Sequence, residues 1–227
     1  MMPKQDFSPE NLERVNNAIK KAERKSTGEI TVSVIKESYD YAAQELMFGI
    51  FAGLIYFLIM ILCVHRVEPI IQSMFWEYSP HYLLAFYGFS SFLVIFMFYL
   101  IGNIPFMDRL IVSRKLMRKK VNERAVRHFM ESGVYNTKDR TGILIFISIL
   151  EKRAELLADR GISKKIPQHK WDSIMEHLIQ GIKSNRFTDH ILEAISECGE
   201  LLAHHFPVDP DDRNELCDDL QMLEKKS

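Results

Sequence analysis

The chain lacks the short signatures that announce many soluble enzymes. It has no GxxxxGK[ST], GxGxxG, GxSxG or HExxH, so no phosphate-cradling loop, dinucleotide turn, nucleophile elbow or helical zinc site can be read from it. Cysteine is scarce: Cys63, Cys198 and Cys217 are odd in number, far apart and form no CxxC pair. That excludes a disulfide framework and a zinc knuckle. An excess of charge is missing too. Lys and Arg number 29 against 30 Asp and Glu, a net charge of −1. General nucleic-acid binding needs a broad basic surface, so no nucleic-acid partner is expected. With 47% apolar and 26% charged residues, the composition is that of a folded chain.

Charge is absent altogether from two longer stretches. Residues 46–64 read LMFGIFAGLIYFLIMILCV and residues 82–107 read YLLAFYGFSSFLVIFMFYLIGNIPFM. About 20 apolar residues in a helix span a bilayer, and neither run carries the polar stripe of a soluble core helix. Trp76, Tyr78, Tyr82, Tyr99 and Phe106 lie near the ends of the second run, as in an interfacial belt. Mostly polar residues precede the first run, which is not the arrangement of a signal peptide. Seven basic residues (Lys4, Arg14, Lys20, Lys21, Arg24, Lys25, Lys36) precede the pair. Seven (Arg109, Arg114, Lys115, Arg118, Lys119, Lys120, Arg124) follow it, and the connecting loop 65–81 holds only Arg66. The positive-inside rule then predicts a two-span hairpin in the inner, cytoplasmic membrane with both termini cytoplasmic. No Asp, Glu, Lys, Arg or His lies inside either run, which speaks against a transport path. Gly49 and Gly53 form a GxxxG, available for dimerisation or for packing against the second span.

The polar parts read as one domain split by the hairpin. Ser8-Pro9-Glu10 starts a helix, with Leu12, Val15, Ile19 and Ala22 at helical spacing and Gly28 as a turn or C-cap. Residues 29–36, EITVSVIK, alternate as a strand. One helix and one strand bury no core, so their partners lie beyond the hairpin. A helix is expected over about 109–132, ended by Gly133. A central strand is expected at 143–150, ILIFISIL, a short strand at 154–158 and a turn at Asp159-Arg160-Gly161. Helices follow at about 170–183 and 188–205, the second stopped by Pro207. The acidic tail beyond is expected to be loosely ordered. The domains are therefore 7–38 plus 109–206, a hairpin at 46–107 and a tail at 207–227.

The pattern of Gly28-Glu29-Ile30, residues 138–147 and Asp159-Arg160-Gly161-Ile162 resembles the TPM domain. That family is named after a thylakoid-lumen protein, a photosystem-repair protein and an acetylcholine-receptor modulator. The likeness covers about residues 7–38 and 122–217. It is nearest to small bacterial members with an LxxHFP-like segment followed by DDxNEL, here residues 202–207 and 211–216. It implies an α+β fold, a small mixed sheet flanked by helices and interrupted after its first strand by the hairpin.

The resemblance also implies weak acid-phosphatase activity and calcium binding through acidic residues. The chain departs from that pattern. A typical Asp-Asn-Gly before the central strand is Arg140-Thr141-Gly142, with Asp139 one place earlier. An Asp-Arg hairpin is Glu151-Lys152. Gly-Leu-Glu-Gly is Gly161-Ile162-Ser163-Lys164, so its acid is missing. Arg140 would repel a metal ion, and calcium takes about six or more oxygen ligands. The candidates are Asp139, Glu151 and Asp159 for catalysis and Glu29, Asp139, Glu151 and Asp159 for a metal. The expected function is a membrane-anchored, non-catalytic interaction or assembly module for another membrane protein. The alternative is a weak, metal-dependent, acid-type phosphatase. No cofactor is expected on the first reading; calcium or magnesium would serve the second. Expected partners are the bilayer, another membrane protein, and anionic lipid headgroups meeting Arg114, Lys115, Arg118 and Lys119.

Overall fold

The computed structural model describes residues 8–183, 187–208, 216 and 219–224. The chain divides into two compact units, Met1–Tyr39 with Lys115–Ser227, and Asp40–Arg114.

The first unit is a mixed sheet between helices. Helix α1 (Pro9–Glu23) starts as its sequence directs, with Pro9 in the first turn and the Ser8 hydroxyl accepting from Asn11 N–H at 3.2 Å. It leads into β1 (Glu29–Ile35). Gly28 serves neither as C-cap nor as a turn in left-handed backbone. A Cβ there would lie 2.7 Å from Leu202, so the glycine allows a helix to pass close by. After the second unit come α6 (Arg114–Glu131), a 3-10 turn at Val134–Asn136, and the strands β2 (Gly142–Ser148) and β3 (Arg153–Ala158). Gly133, in left-handed backbone (φ 77°), ends α6 as expected. Then follow the one-turn helix α7 (Arg160–Ser163), α8 (Gln168–Lys183), α9 (Phe187–His205) and β4 (Gln221–Leu223).

The sheet order is β3-β2-β1-β4, with β1 parallel to both β2 and β4, and β2 antiparallel to β3. Every residue of β1 and β2 is buried. The alternation in β1 is therefore not apolar-in, polar-out. One face, Ile30, Val32, Val34, Ile143, Ile145 and Ile147, packs with α1, α8 and α9. The other, Leu144, Phe146 and Ile35, packs against Val121 and Ala125 of α6. A sheet covered on both faces reads as continuous apolar runs, which ILIFIS does.

Four further expectations are corrected. The helix expected over about 109–132 starts at Arg114, and Arg109 belongs to the separate helix α5 (Pro105–Ile111). The turn at Asp159-Arg160-Gly161 is the start of α7, with the Asp159 carboxylate accepting from Arg160 N–H at 2.6 Å. The end of the acidic tail is a strand. β4 pairs with Ser33–Ile35, and Leu220 N–H donates to Asn16 Oδ1 at 2.9 Å. Residues 209–215, 217, 218 and 225–227 of that tail lie outside the described residues, as do residues 1–7.

The fourth correction concerns the second unit. It comprises α2 (Ala42–Leu62), α3 (Val64–Met74), α4 (Pro80–Gly102) and α5. Both α2 and α4 are long and apolar enough to cross a membrane. The expected loop 65–81 is largely the helix α3. The second apolar run ends its helix at Gly102, before Pro105 starts α5. Helix α2 begins before the charge-free run, so Glu45 lies in its first turn, buried beside Gly102. The GxxxG is used inside the hairpin. A Cβ at Gly49 would lie 2.9 Å from Ile95 O, and one at Gly53 would overlap the Ile95 side chain. Small residues thus bring the two backbones together.

Lys152 in the β2–β3 turn has left-handed backbone (φ 48°). An L side chain there costs about 1–2 kcal/mol, part of which glycine gives back as chain entropy. Lys152→Gly is expected to stabilise the sheet domain by about 0.5–1 kcal/mol. Urea unfolding in mild detergent, followed by the buried Trp171 in a Trp76→Phe background, measures it.

Candidate functional site

At the N-terminal ends of β1 and β2 the chain makes an open cleft of about 500 Å³, lined by Thr27, Asp139, Gly161, Lys164, Lys165 and residues 205–207. Its floor is backbone. Glu29 N–H donates to Thr141 O at 3.2 Å, Asp159 N–H to Gly142 O at 3.0 Å, Gly161 N–H to Arg140 O at 3.1 Å and Thr27 N–H to Phe206 O at 3.1 Å. The Thr141 hydroxyl donates to Thr27 O at 2.8 Å. A Cβ at Gly161 would lie 2.8 Å from Asp139 O. Glycine therefore lets α7 close against the 139–140 loop. Lys165 Nζ donates to His205 O at 3.4 Å and lies 4.2 Å over the Phe206 ring, a cation–π contact that pins its stem. The Arg140 guanidinium turns back to Tyr135 O at 2.8 Å.

The four acidic candidates do not share one place. Glu29, Asp139 and Asp159 belong to the cleft end of the sheet: Glu29 pairs with Gly142, and Asp159 follows the last residue of β3. Glu29 and Asp159 are buried, whereas Asp139 is exposed on the cleft wall. One oxygen of Asp159 caps α7; its other oxygen, Oδ2, is buried with no hydrogen-bond partner among the described residues. Glu151 stands beyond the far end of β2. Seven residues of strand put it about 20 Å away. There it accepts from Ser38 N–H at 3.0 Å and from the Ser148 hydroxyl, and Ser38 Oγ donates to Ser148 Oγ at 2.8 Å. Glu151 thus closes the β2–β3 hairpin onto the segment after β1.

The side chains at this end do not fit the calcium ion that the family resemblance implies. Among the described residues no three His, Cys, Asp or Glu side chains converge, against the six or more oxygens that calcium takes. Lys164 and Lys165 bring positive charge to the same cleft. The cleft suits an anionic or polar group better than a cation. Cys198 is not a nucleophile: it is fully buried, and burial pushes its thiol up, away from the thiolate.

A second polar cluster escaped the sequence reading. Buried His128 on α6 places Nε2 2.8 Å from Ser33 Oγ and 3.1 Å from Gln221 Oε1. One turn earlier, buried Arg124 pairs with Glu131 at 3.2 Å. The i,i+4 spacing of Arg124 and His128 was the available signal, together with Ser33 inside an apolar strand. The cluster satisfies the polar residue on the α6 face of β1 and ties β4 to α6.

Comparison with known proteins places part of the chain beside one family and supports the fold. Residues 109–201 match the TPM domain. The chain is similar to the solution structure of the BA42 protein from the psychrophilic bacterium Bizionia argentinensis, with a TM-score of 0.56 and 18% identity. The likeness covers 98% of this chain and 99% of that one. No curated protein matches. The matched segment supplies α6 to α9 with β2 and β3, and α1 and β1 complete its sheet from before the apolar pair. Residues 109–201 are thus similar to the TPM domain, and they form part of an α+β unit interrupted after its first strand by two long apolar helices.

Proposed function

We propose that this protein is a non-catalytic interaction module held at the inner membrane. In this reading α2 and α4 cross the bilayer with both termini cytoplasmic. The TPM domain receives a segment of another membrane protein. The observation that carries it is the dispersal of the acidic residues. Phosphoryl transfer relies on metal ions and donors that neutralise charge on the transferred group, and Glu151 lies about 20 Å along β2 from Asp139 and Asp159. The cleft end instead presents Lys164, Lys165, Thr27 and the ring of Phe206, a mixture suited to an acidic or polar peptide segment. The seven, one and seven basic residues around the apolar runs support the orientation. Arg114, Lys115, Arg118 and Lys119 are exposed on the first turns of α6, next in sequence after the hairpin, where anionic headgroups would meet them.

The test is a photoreactive residue at Lys164 in the full chain, irradiated in intact membranes. A discrete adduct with one membrane protein is expected, absent when the probe sits at exposed Arg127 of α6. In parallel the purified chain is given an aryl phosphate with calcium or magnesium. Turnover of about 1 per second or more, abolished by Asp139→Asn with Asp159→Asn, overturns the non-catalytic reading.

A further inference from the structure

We propose that α3 is an interfacial element whose outer apolar edge lies in the headgroup–acyl boundary of the bilayer, with Trp76 as its anchor. The inference rests on the reading that α2 and α4 cross a membrane.

Helix α3 begins one residue after α2 ends, with Cys63 between them. Its 11 residues measure about 16 Å, half of what a bilayer requires. At 100° per residue its apolar side chains, Val64, Val67, Ile70, Ile71 and Met74, fall within one arc of about 120°. His65, Arg66, Glu68, Pro69, Gln72 and Ser73 occupy the rest. Part of the apolar arc is used by the protein: Ile71 is buried, and Val64 and Val67 are half-buried. The remaining edge is not. Ile70 is 61% exposed, Met74 73% and Trp76 fully exposed, and Leu62 at the end of α2 is 81% exposed.

This edge is presented by a folded segment, not by a loose one. Phe75 stacks on Tyr82 of α4, with centroids 4.3 Å apart and planes 4° from parallel. The Tyr78 hydroxyl donates to Glu68 Oε1 at 3.1 Å. The segment is thereby fastened to the start of α4 while Leu62, Ile70, Met74 and Trp76 point away.

Lipid is the occupant these observations favour. The same unit exposes apolar side chains along α2 and α4, such as Leu58 and Phe89, which the membrane reading gives to lipid. Amphipathic helices of this kind lie in the interface with their apolar face about 5–10 Å deep, and Trp prefers that level. The polar arc carries one cation, Arg66, and one anion, Glu68. Nothing in it selects anionic headgroups, so zwitterionic lipid suffices.

The chain has two tryptophans, and Trp171 is buried. The test reconstitutes full-length Trp171→Phe in phosphatidylcholine vesicles and reads the emission of Trp76. Bromine placed near the headgroup is expected to quench it about twofold more than bromine near the chain ends. Acrylamide should quench little, and added salt or anionic lipid should change nothing. The difference spectrum between wild type and Trp76→Phe gives the same readout if Trp171→Phe does not fold. Quenching by acrylamide and not by bromine, or by neither, as in a contact with protein or a second copy, overturns the inference. If the chain meanwhile resists alkaline extraction from the vesicles, the membrane reading stands. Extraction of the chain overturns that reading itself.

Discussion

Alanine at Gly142 is expected to cost the sheet domain about 3 kcal/mol or more. The added Cβ would sit on the carbonyl oxygen of Val134 and 2.7 Å from its Cγ1. Neither neighbour yields easily. Val134 is fully buried in the 3-10 turn after Gly133, and Gly142 opens the central strand, paired with Glu29 and accepting from Asp159 N–H. Relief would require shifting a strand bonded on both sides or unpacking Val134 from Leu144 and Phe146. Overpacking against backbone is costly because no side-chain rotation removes it. Gly88→Ala is the control, since its added Cβ meets nothing within 4 Å. Urea midpoints of the two variants in detergent should differ widely, with Gly88→Ala near wild type. A Gly142→Ala midpoint equal to that of Gly88→Ala would refute the packing.

Deleting residues 40–114 and joining Tyr39 to Lys115 by a short Gly-Ser linker is expected to give a protein that needs no detergent and unfolds in one cooperative transition. Both apolar clusters are built entirely from residues 15–35 and 121–223. The two cut ends are near each other: Lys120 Nζ stands 4.1 Å over the Tyr39 ring, and Lys115 is five residues, about 7 Å, back along the same helix. The segment 8–39 alone has one helix and one strand and should be unstructured, because β1 has all its pairing partners, β2 and β4, after the hairpin. Circular dichroism and sedimentation of the two chains read the outcome. An insoluble or molten fusion would mean that the spans are needed for the fold.

The two apolar helices, α1 with its Ser8 cap, the strands β1 to β3 and the last two long helices were legible because each is a local pattern. A charge-free run, a cap before periodic apolar positions and a stretch of five consecutive apolar residues, 143–147, are written in neighbouring residues. α3 was misread as loop. Its charges and Pro69 mask an amphipathic arc that only closes against the hairpin. β4 was missed because three residues of ordinary composition have no strand signal of their own; the edge of β1 makes them a strand. The acidic candidates were identified by type, and type carries no distance. Asp139 and Glu151 are twelve residues apart in sequence, but the full length of β2 lies between them.

The sequence by itself determined that the polar segments need one another and that two runs are apolar enough for lipid. These follow from composition and period, which need no partner. The tertiary structure alone decided that Glu151 closes a hairpin while Asp139 faces a cleft, that Gly49 and Gly53 serve the hairpin interior, and that the C-terminal residues edge the sheet. Each depends on which backbone arrives beside which side chain, a long-range event that sequence spacing does not encode.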